Sequence, residues 1–340
     1  HSNPAALLLE QAPPVTSAEL DGYVFFNDSD RLLDSLRKAH EDGLILQGSS
    51  RGVLIVPGDE AALAEQLSSM DNEVTSFYAG GHTVFSTSSP AWQVLGGSEF
   101  RGTGRFDYDE QDANRLRFAS LLSQFSFGEL QSAMQVAAIW HNYLGLNYRF
   151  KLDAWDNTQF AITGKLQNTS LIERSIKISE YEESQLFDQS RDVNHHLQAN
   201  IDLGVSHQVS NWTFGLRLRD LYQQAMRSND GSRYQQRSHI SSQIDYRDSW
   251  GSVQLSIDLS PQVGFAEVQK RKRYALATEL PVSEKFSISA NYQWLDTAHD
   301  KDIPSLGLNY QLGQLLRIES QFSYAGDREL GGAISLQLPL

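Results

Sequence analysis

A histidine and a serine two residues apart, His239 and Ser241, are the strongest candidates for catalytic chemistry in this sequence. In an extended chain, residues i and i+2 point to the same face, so a base and a nucleophile at this spacing could act together. A serine hydrolase also needs a residue that orients the imidazole, and no asparagine occurs between residues 244 and 257 to do so. The pair therefore favours ordinary polar side chains on one strand face, and we predict no catalytic residue.

The other candidate groups give no support for a metal or nucleotide site. His195 and His196 are adjacent, so in a strand they point to opposite faces and cannot chelate one ion together. The acidic run between Glu180 and Asp192 lacks the Asp-x-Asp-x-Asp-Gly order of a calcium loop, which favours a solvated charge run. The segment GGSEFRGTG lacks the strand-turn-helix setting of a phosphate loop. We expect no metal and no cofactor.

Composition excludes several functional classes. The 340 residues include no cysteine, which rules out disulfides, thiolate catalysis and cysteine-ligated zinc. The net charge of -14 argues against a general nucleic-acid binder, because phosphate contacts require clustered Lys and Arg. No apolar run approaches the roughly 18 residues of a membrane helix. A transmembrane β-barrel remains compatible with the mean hydropathy of -0.41, because half of each strand faces a polar lumen.

The elements that would position any site are strands with alternating character. In NWTFGLRLRDLYQ, the apolar side chains from Trp212 to Leu218 occupy every second position, and Arg217 and Arg219 point the other way. From about residue 139 onward we count about eleven such segments of roughly ten residues each. Soluble sandwich strands usually have about five or six residues, whereas membrane-spanning strands need about nine to eleven. The pattern therefore favours a membrane barrel over a soluble sandwich.

The polar phase of these strands predicts which side chains line the lumen. The charged members of this phase are Arg149, Lys165, Asp202, Arg217, Arg219, Asp245, Asp258, Arg273, Arg317 and Glu319. Because both signs are present, we expect charges paired across the lumen in preference to a strongly selective ring.

Connection lengths also alternate, as in outer-membrane barrels, where short turns face the periplasm and longer loops face outward. Trp155, Trp212 and Trp250 lie in or beside short turns, where an interfacial aromatic girdle is expected. Aromatic residues that cap one end of a sandwich are the alternative interpretation.

The first 138 residues are less regular. ELDGYVFFND, SRGVLIVPG and VTSFYAGGHTVFS are predicted to be strands, for a total of about 14, with 12 as the alternative. DSDRLLDSLRKAHEDG and DEAALAEQLSSM are predicted to be short amphipathic helices. The range 88–138 is interpreted as a large insertion, either external or folded into the lumen. The fold class is therefore all-β, a single antiparallel transmembrane barrel over residues 1–340 with short helices in its N-terminal part.

Several stretches resemble a known family. NPAALL at residues 3–8, DSDRLLDSL and the strand series over residues 197–340 resemble the TraF-like conjugal-transfer proteins of the outer membrane. That family is distantly similar to the long-chain fatty-acid transporter barrels, which share an Asn-Pro-Ala near the mature N-terminus. The resemblance implies an N-terminal plug within residues 1–18, with Asn3, Pro4 and Ala5 entering the lumen.

By resemblance, the protein is expected to mediate passive uptake of a small molecule, which could be hydrophobic, across the outer membrane of a Gram-negative bacterium. The alternative is a structural or adhesive component of a cell-surface or conjugation apparatus; a lipase using Ser241 is less favoured, and we expect no enzyme. Expected partners are outer-membrane lipid, lipopolysaccharide and a small-molecule or amphiphilic substrate, without nucleic acid. The oligomeric state stays open.

A basic run, QKRKRY, opens a strand on the long-loop side, where lipopolysaccharide phosphates would lie. Its candidates for phosphate contact are Lys270, Arg271, Lys272 and Arg273. A solubilising run at the edge of the sheet is an equally good interpretation.

Overall fold

The chain forms a strand-rich structure with three α-helices and two short 3₁₀ helices among the residues described. The computed structural model describes residues 16–49, 59–87, 91–122, 126–182, 192–297, 302–313, 316–326 and 328–339. The helices are α1 (Leu32–Ser49), α2 (Asp59–Ser69) and α3 (Glu110–Leu122). The strands are β1 (Ser17–Asn27), β2 (Val74–Ser86), β3 (Trp92–Asp107), β4 (Ala133–Lys151), β5 (Thr158–Lys177), β6 (Val193–Val209), β7 (Trp212–Arg219), β8 (Gln224–Arg227), β9 (Arg233–Gln236), β10 (His239–Asp248), β11 (Gly251–Asp258), β12 (Arg273–Ser283), β13 (Phe286–Leu295), β14 (Ile303–Leu312), β15 (Leu316–Gly326) and β16 (Glu329–Pro339).

All strands except β8 and β9 form one closed antiparallel barrel. Neighbours in sequence pair with each other, β7 pairs with β10, and β1 closes the barrel against β16. The register of this closure runs from Ser17 opposite Pro339 to Asn27 opposite Glu329. Strands β8 and β9 form a separate hairpin within the connection from β7 to β10. The predicted all-β barrel of 14 strands is confirmed.

The two faces of the wall differ as the alternation predicts. On β7, the side chains of Trp212, Phe214 and Leu216 are exposed on the outside, whereas Arg217 is buried inside. Aromatic rings pack in pairs on the outer face near the short turns, with centroids 4.6 Å apart for Trp92 and Tyr148 and 4.8 Å for Trp212 and Tyr246. The barrel thus presents an apolar, aromatic-edged outer surface around a polar interior.

A helical layer covers the outer face of the longest strands. Strands β4 and β5 have 19 and 20 residues, well beyond the roughly nine to eleven needed to span a bilayer. At their long-loop ends, Met134, Val136 and Ile176 point outward and are buried by residues of α1, α2 and α3. The helices contribute the buried side chains Leu32, Leu36, Ala39, Leu46, Leu63, Leu67 and Leu116. No helix among the described residues is both long and apolar enough to cross a membrane.

One prediction about the N-terminal part needs correction, and a second is not tested. The range 88–138 is not one insertion: β3 is a wall strand, β4 begins at Ala133, and α3 lies between them. The strand predicted for SRGVLIVPG falls outside the described residues, and β3 takes its place in the count of 14. The two predicted helices correspond to α1 and α2.

Candidate functional site

A cavity of about 910 Å³ occupies the short-turn half of the lumen. Its wall reaches Asp156 and Asp248, which lie in or beside short turns, and it extends inward to His82 and Arg273. The lining consists mainly of carboxylates, amides and hydroxyls, with few aliphatic side chains. This interior is therefore wet and rich in hydrogen-bonding groups.

The long-loop half of the lumen is filled by two segments, which we call the mouth loops: the β8–β9 hairpin (residues 224–236) and the loop at 260–271. Met226 and Tyr234 from the hairpin pack with Phe265 and Val268 from the loop. They cover Ala137, Ile139 and Leu171, which point into the barrel from β4 and β5. Complete burial of a side chain such as Phe265 contributes about 1.5–3 kcal/mol, so this apolar cluster holds the mouth loops inside the barrel.

Polar contacts also anchor the mouth loops to the wall. Arg105 of β3 binds Glu267 through two hydrogen bonds, from Nε at 2.7 Å and from Nη2 at 3.2 Å. Arg101 Nη2 donates to the Val263 carbonyl at 3.0 Å. Burial raises the pKa of Tyr234 to about 12, so its phenol stays neutral within the cluster at physiological pH. The two charge-assisted hydrogen bonds between Arg105 and Glu267 orient the loop as well as stabilising its position.

Between the mouth loops and the cavity lies a charged layer made of Glu99, Lys165, Asp202, Arg217, Arg219 and Asp220. Lys165 Nζ lies 2.8 Å from Asp202 and 2.7 Å from Asp220. Arg217 Nη2 lies 2.9 Å from the other oxygen of Asp202. The Lys165, Asp202 and Arg217 side chains are only 4%, 2% and 6% exposed. Because each of these charges has an opposite charge beside it, loss of one member would leave an uncompensated charge in a buried place.

The layer also crosses the lumen between distant strands. Arg219 Nη2 of β7 lies 3.5 Å from Glu99 Oε1 of β3. His82 of β2 lies 3.8 Å from the same oxygen and accepts or donates a 2.8 Å hydrogen bond with the Tyr143 hydroxyl of β4. These contacts bridge the barrel below the mouth loops.

The predicted lumen residues lie on the inner face in two main groups. Lys165, Asp202, Arg217 and Arg219 belong to the charged layer. The cavity lining includes Asp245, Arg273, Arg317 and Glu319. Of the other two, Arg149 is buried near the short-turn end of β4, and Asp258 lies 3.3 Å from His239.

The basic run divides between the two faces. Arg271 points inward, with its guanidinium 4.7 Å from the centre of the Tyr78 ring, and Arg273 lines the cavity. These two side chains therefore do not face lipopolysaccharide. Lys270 is exposed, and Lys272 is half-buried and points outward like Tyr274. The predicted phosphate contact therefore applies to these two lysines only.

The histidines and the serine considered for catalysis or metal binding lie on strands of the barrel wall. His239 and Ser241 both point inward and are buried, and His239 Nε2 lies 3.3 Å from Asp258 Oδ1. His195 and His196 bond to Ser170 and to the Arg227 carbonyl, on opposite faces of β6. Within the part of the chain that the structure describes, no group of three or more His, Asp or Glu side chains could hold a metal ion.

Three predicted residues cannot be located, and two residues of the charged layer were not predicted. The plug candidates Asn3, Pro4 and Ala5 lie outside the described residues. Sequence reasoning missed Glu99 and Asp220, because Glu99 sits in a glycine-rich stretch without clear alternation and Asp220 follows the last residue of β7. The inward phase of β3, followed from Gln93 through Arg101, is the signal that could have identified Glu99.

Comparison with solved structures shows the same fold in two bacterial proteins. The Pseudomonas putida toluene transporter TodX is 11% identical, with a TM-score of 0.52 over 100% of this chain and 93% of TodX. The Ralstonia pickettii toluene transporter TbuX is 10% identical, with a TM-score of 0.53 over 100% of this chain and 92% of TbuX. Both are named as transporters and not as enzymes. At this level of identity the likeness shows the fold.

Sequence comparison gives the family. No curated protein matches the chain. A family model described as "F plasmid transfer operon, TraF, protein" matches residues 2–280, and the chain belongs to this family.

Proposed function

We propose that this protein is an outer-membrane barrel of a Gram-negative bacterium that mediates passive uptake of a small molecule. The observation that carries the proposal is a closed barrel whose outer face is apolar and whose lumen holds a cavity of about 910 Å³. The fold shared with the two toluene transporters supports it. The family resemblance implies that the transported molecule could be hydrophobic, and the uptake assay below tests this with toluene.

Membrane insertion is supported by side chains that water would not tolerate in such numbers. Leu197, Leu306 and Phe322 are 79%, 69% and 60% exposed on the outer face of different strands. A contiguous apolar surface of this kind marks a membrane or protein interface. Because it encircles a closed barrel, lipid is the partner that can cover all of it at once.

The position of the mouth loops indicates which end of the barrel is closed and which is open. With the short turns in the periplasm, as in outer-membrane barrels, the cavity opens inward and the mouth loops close the outer end. Uptake then requires displacement of the mouth loops, which are held by the apolar cluster and by the pair of Arg105 with Glu267. In this proposal the rate-controlling step of uptake lies at the outer mouth.

The test is solute uptake by proteoliposomes containing the full chain, compared with a variant in which residues 224–236 are replaced by a short glycine-serine turn. We expect slow uptake by the full chain and faster uptake by the variant. Protein-free liposomes and liposomes with the Glu41→Gln variant, changed on an exposed residue of α1, are the controls. If neither the full chain nor the shortened variant passes toluene, a sugar or an amino acid, uptake is refuted.

A structural role in a cell-surface or conjugation apparatus is the second candidate, and the helical layer at the long-loop end favours it. Ile45 of α1 and Phe118 of α3 are 64% and 58% exposed there, and the family description refers to a transfer operon. We propose that such a role would depend on this outer layer and not on the lumen. Mating frequency in a deletion strain complemented with Phe118→Ser distinguishes the roles, because uptake through the barrel should be unaffected.

The outer basic residues carry a smaller proposal about the lipid partner. Lys270 and Lys272 would pair with lipopolysaccharide phosphates at the outer mouth. Replacing both with Gln should weaken lipopolysaccharide co-purification and leave barrel folding intact.

A further inference from the structure

The charged side chains that line the cavity are unequal in number. Seven carboxylates and four Lys or Arg side chains contribute to the lining, an excess of three negative charges. One of the four cations, Arg317, is committed to Glu279, with Nη2 2.9 Å from Oε1. A lumen with an excess of one sign and low-dielectric walls concentrates solutes of the opposite sign.

Asp245 shows most directly how the negative charge is held. Its carboxylate accepts hydrogen bonds from Gln243 Nε2 at 2.8 Å and from Gln254 Nε2 at 2.7 Å. Both donors are neutral amides, so they stabilise the carboxylate without cancelling its charge. Glu319, on β15, adds a second carboxylate at a different part of the wall.

Two of the lining amides also leave an acceptor unused. Gln243 donates its nitrogen to Asp245, and Asn309 donates its nitrogen to Glu279 at 2.9 Å. Their oxygens, Gln243 Oε1 and Asn309 Oδ1, are buried and have no hydrogen-bond partner among the described residues. These side chains belong to residues that are 5% and 4% exposed. The lining therefore combines an excess of carboxylates with two unpaired amide oxygens.

We propose that the cavity binds a small organic cation, a solute bearing an ammonium or guanidinium group, and this rests on the proposed uptake function. Such a group has several N–H donors and no acceptor, so it matches both the negative charge and the unused amide oxygens. A hydrocarbon would displace water from the carboxylates and amides without replacing their hydrogen bonds, which costs free energy for each group left unpaired. The lining thus selects by charge and by donor count.

The absence of cysteine allows a direct measurement of charge selectivity in the full chain. Ala277 lines the cavity on β12, opposite Gln254 of β11 and Asn291 of β13. In the Ala277→Cys variant, we would compare the rates at which the thiolate forms a mixed disulfide, with release of methanesulfinate, on reaction with a cationic trimethylammonium-ethyl methanethiosulfonate and an anionic sulfonatoethyl methanethiosulfonate of similar size. Each rate is normalised to that of 2-mercaptoethanol in solution. Because the cavity opens at the short-turn end, both reagents can enter even with the mouth loops closed.

We expect the cationic reagent to be favoured by about tenfold or more, since a lumen with excess charge carries a potential of several kT. Adding Asp245→Asn and Glu319→Gln should reduce the preference severalfold. Adding Glu41→Gln and Glu65→Gln, which remove the same two negative charges from exposed positions of the outer helical layer, should leave it unchanged. A ratio near or below one overturns the proposal, and so does failure of both reagents to react with a folded barrel.

A calorimetric titration of the full chain in detergent with agmatine, glycerol and toluene adds a second readout. Binding of agmatine alone, lost in the Asp245→Asn and Glu319→Gln variant, supports the cation site, whereas binding of toluene alone overturns it. The two proposals fail separately. Charge-selective thiol modification without uptake in proteoliposomes refutes transport only, and uptake of toluene without any charge preference refutes the cation site only.

Discussion

Replacement of Leu216 by Arg tests which face of the wall meets lipid. Leu216 lies on the outer face of β7, 44% exposed, between Val205 of β6 and Ser242 of β10. It is four residues from Trp212, which lies in the aromatic row beside the short turn. At about 3.3 Å per residue and a strand tilt of about 40°, this separation corresponds to a depth of roughly 10 Å.

An apolar band of about 25 Å has its midplane about 12 Å from either edge, so Leu216 lies close to the centre of the bilayer. An Arg at the midplane of the lipid face costs about 2–4 kcal/mol of barrel stability. The matched control is Gln254→Arg on β11, where Gln254 Nε2 already lies 2.7 Å from Asp245 Oδ1. A guanidinium there meets a carboxylate in a wet lumen, and we expect a change of about 1 kcal/mol or less.

The assay is urea unfolding of the barrel refolded into lipid vesicles, followed by tryptophan fluorescence and by the mobility shift of folded barrels on gels. The free energies of unfolding of the two variants are compared with that of the parent chain. Equal losses for Leu216→Arg and Gln254→Arg would show that the two phases face similar surroundings, and the membrane assignment would be refuted.

Three further predictions follow from the orientation, the charged layer and the mouth loops. A cysteine in place of Asp230, at the exposed tip of the β8–β9 hairpin, should be labelled by an impermeant reagent on intact cells, whereas a cysteine in place of Ser249 should not; the reverse pattern would invert the topology. Lys165→Met should cost about 3–5 kcal/mol in the same unfolding assay, because two buried carboxylates lose their shared cation; a neutral result would show that the layer is hydrated. Glu267→Gln should raise single-channel conductance by weakening its paired bonds with Arg105, and unchanged conductance would mean that the mouth loops do not limit passage.

The fold was predictable because side chains along each strand alternate between the outer face and the lumen of the barrel, and these two surroundings favour different residue types. The side chain of Leu216 points outward and is exposed, whereas that of Arg217 points into the lumen and is buried, so the two environments impose opposite requirements on adjacent residues. Strand length separated a membrane barrel from a sandwich. The same alternation placed Asp202 and Arg217 on one face, where they bond to each other.

Strand β3 was not predicted because each of its two faces contacts different parts of the protein along its length, so its side chains do not alternate regularly between apolar and polar. Its outer residue Phe106 is covered by the helical layer, and its inner residue Arg105 is bonded to a mouth loop. Gly97 of the same strand leaves room for the Tyr143 ring of β4, because an added Cβ would lie 2.6 Å from three of its atoms. Local sequence cannot indicate which side of a strand will be covered by segments far away in the chain.

The site was less predictable than the wall for a related reason. The pair of Arg219 with Glu99 joins residues 120 positions apart, and it depends on which strands face each other across the lumen. The β8–β9 hairpin has strands of only four residues, too short to show a period. Its burial inside the mouth depends on Phe265 and Val268, which lie in a separate loop without regular pattern.

The pairing of β1 with β16 means that the barrel can close only after its last strand has been synthesised. Phe26 pairs with Leu330, so the first wall strand can complete its ladder only after the last one has been made. Every partly assembled chain therefore has two strand edges with unpaired backbone groups, and such edges associate readily with other chains. Contacts of such high sequence separation also slow folding, because the loop entropy is lost before the pairing compensates for it. We expect nascent chains of this protein to depend on a holding chaperone until the final seam forms, and a truncation before Glu329 to aggregate although most of its hairpins are intact.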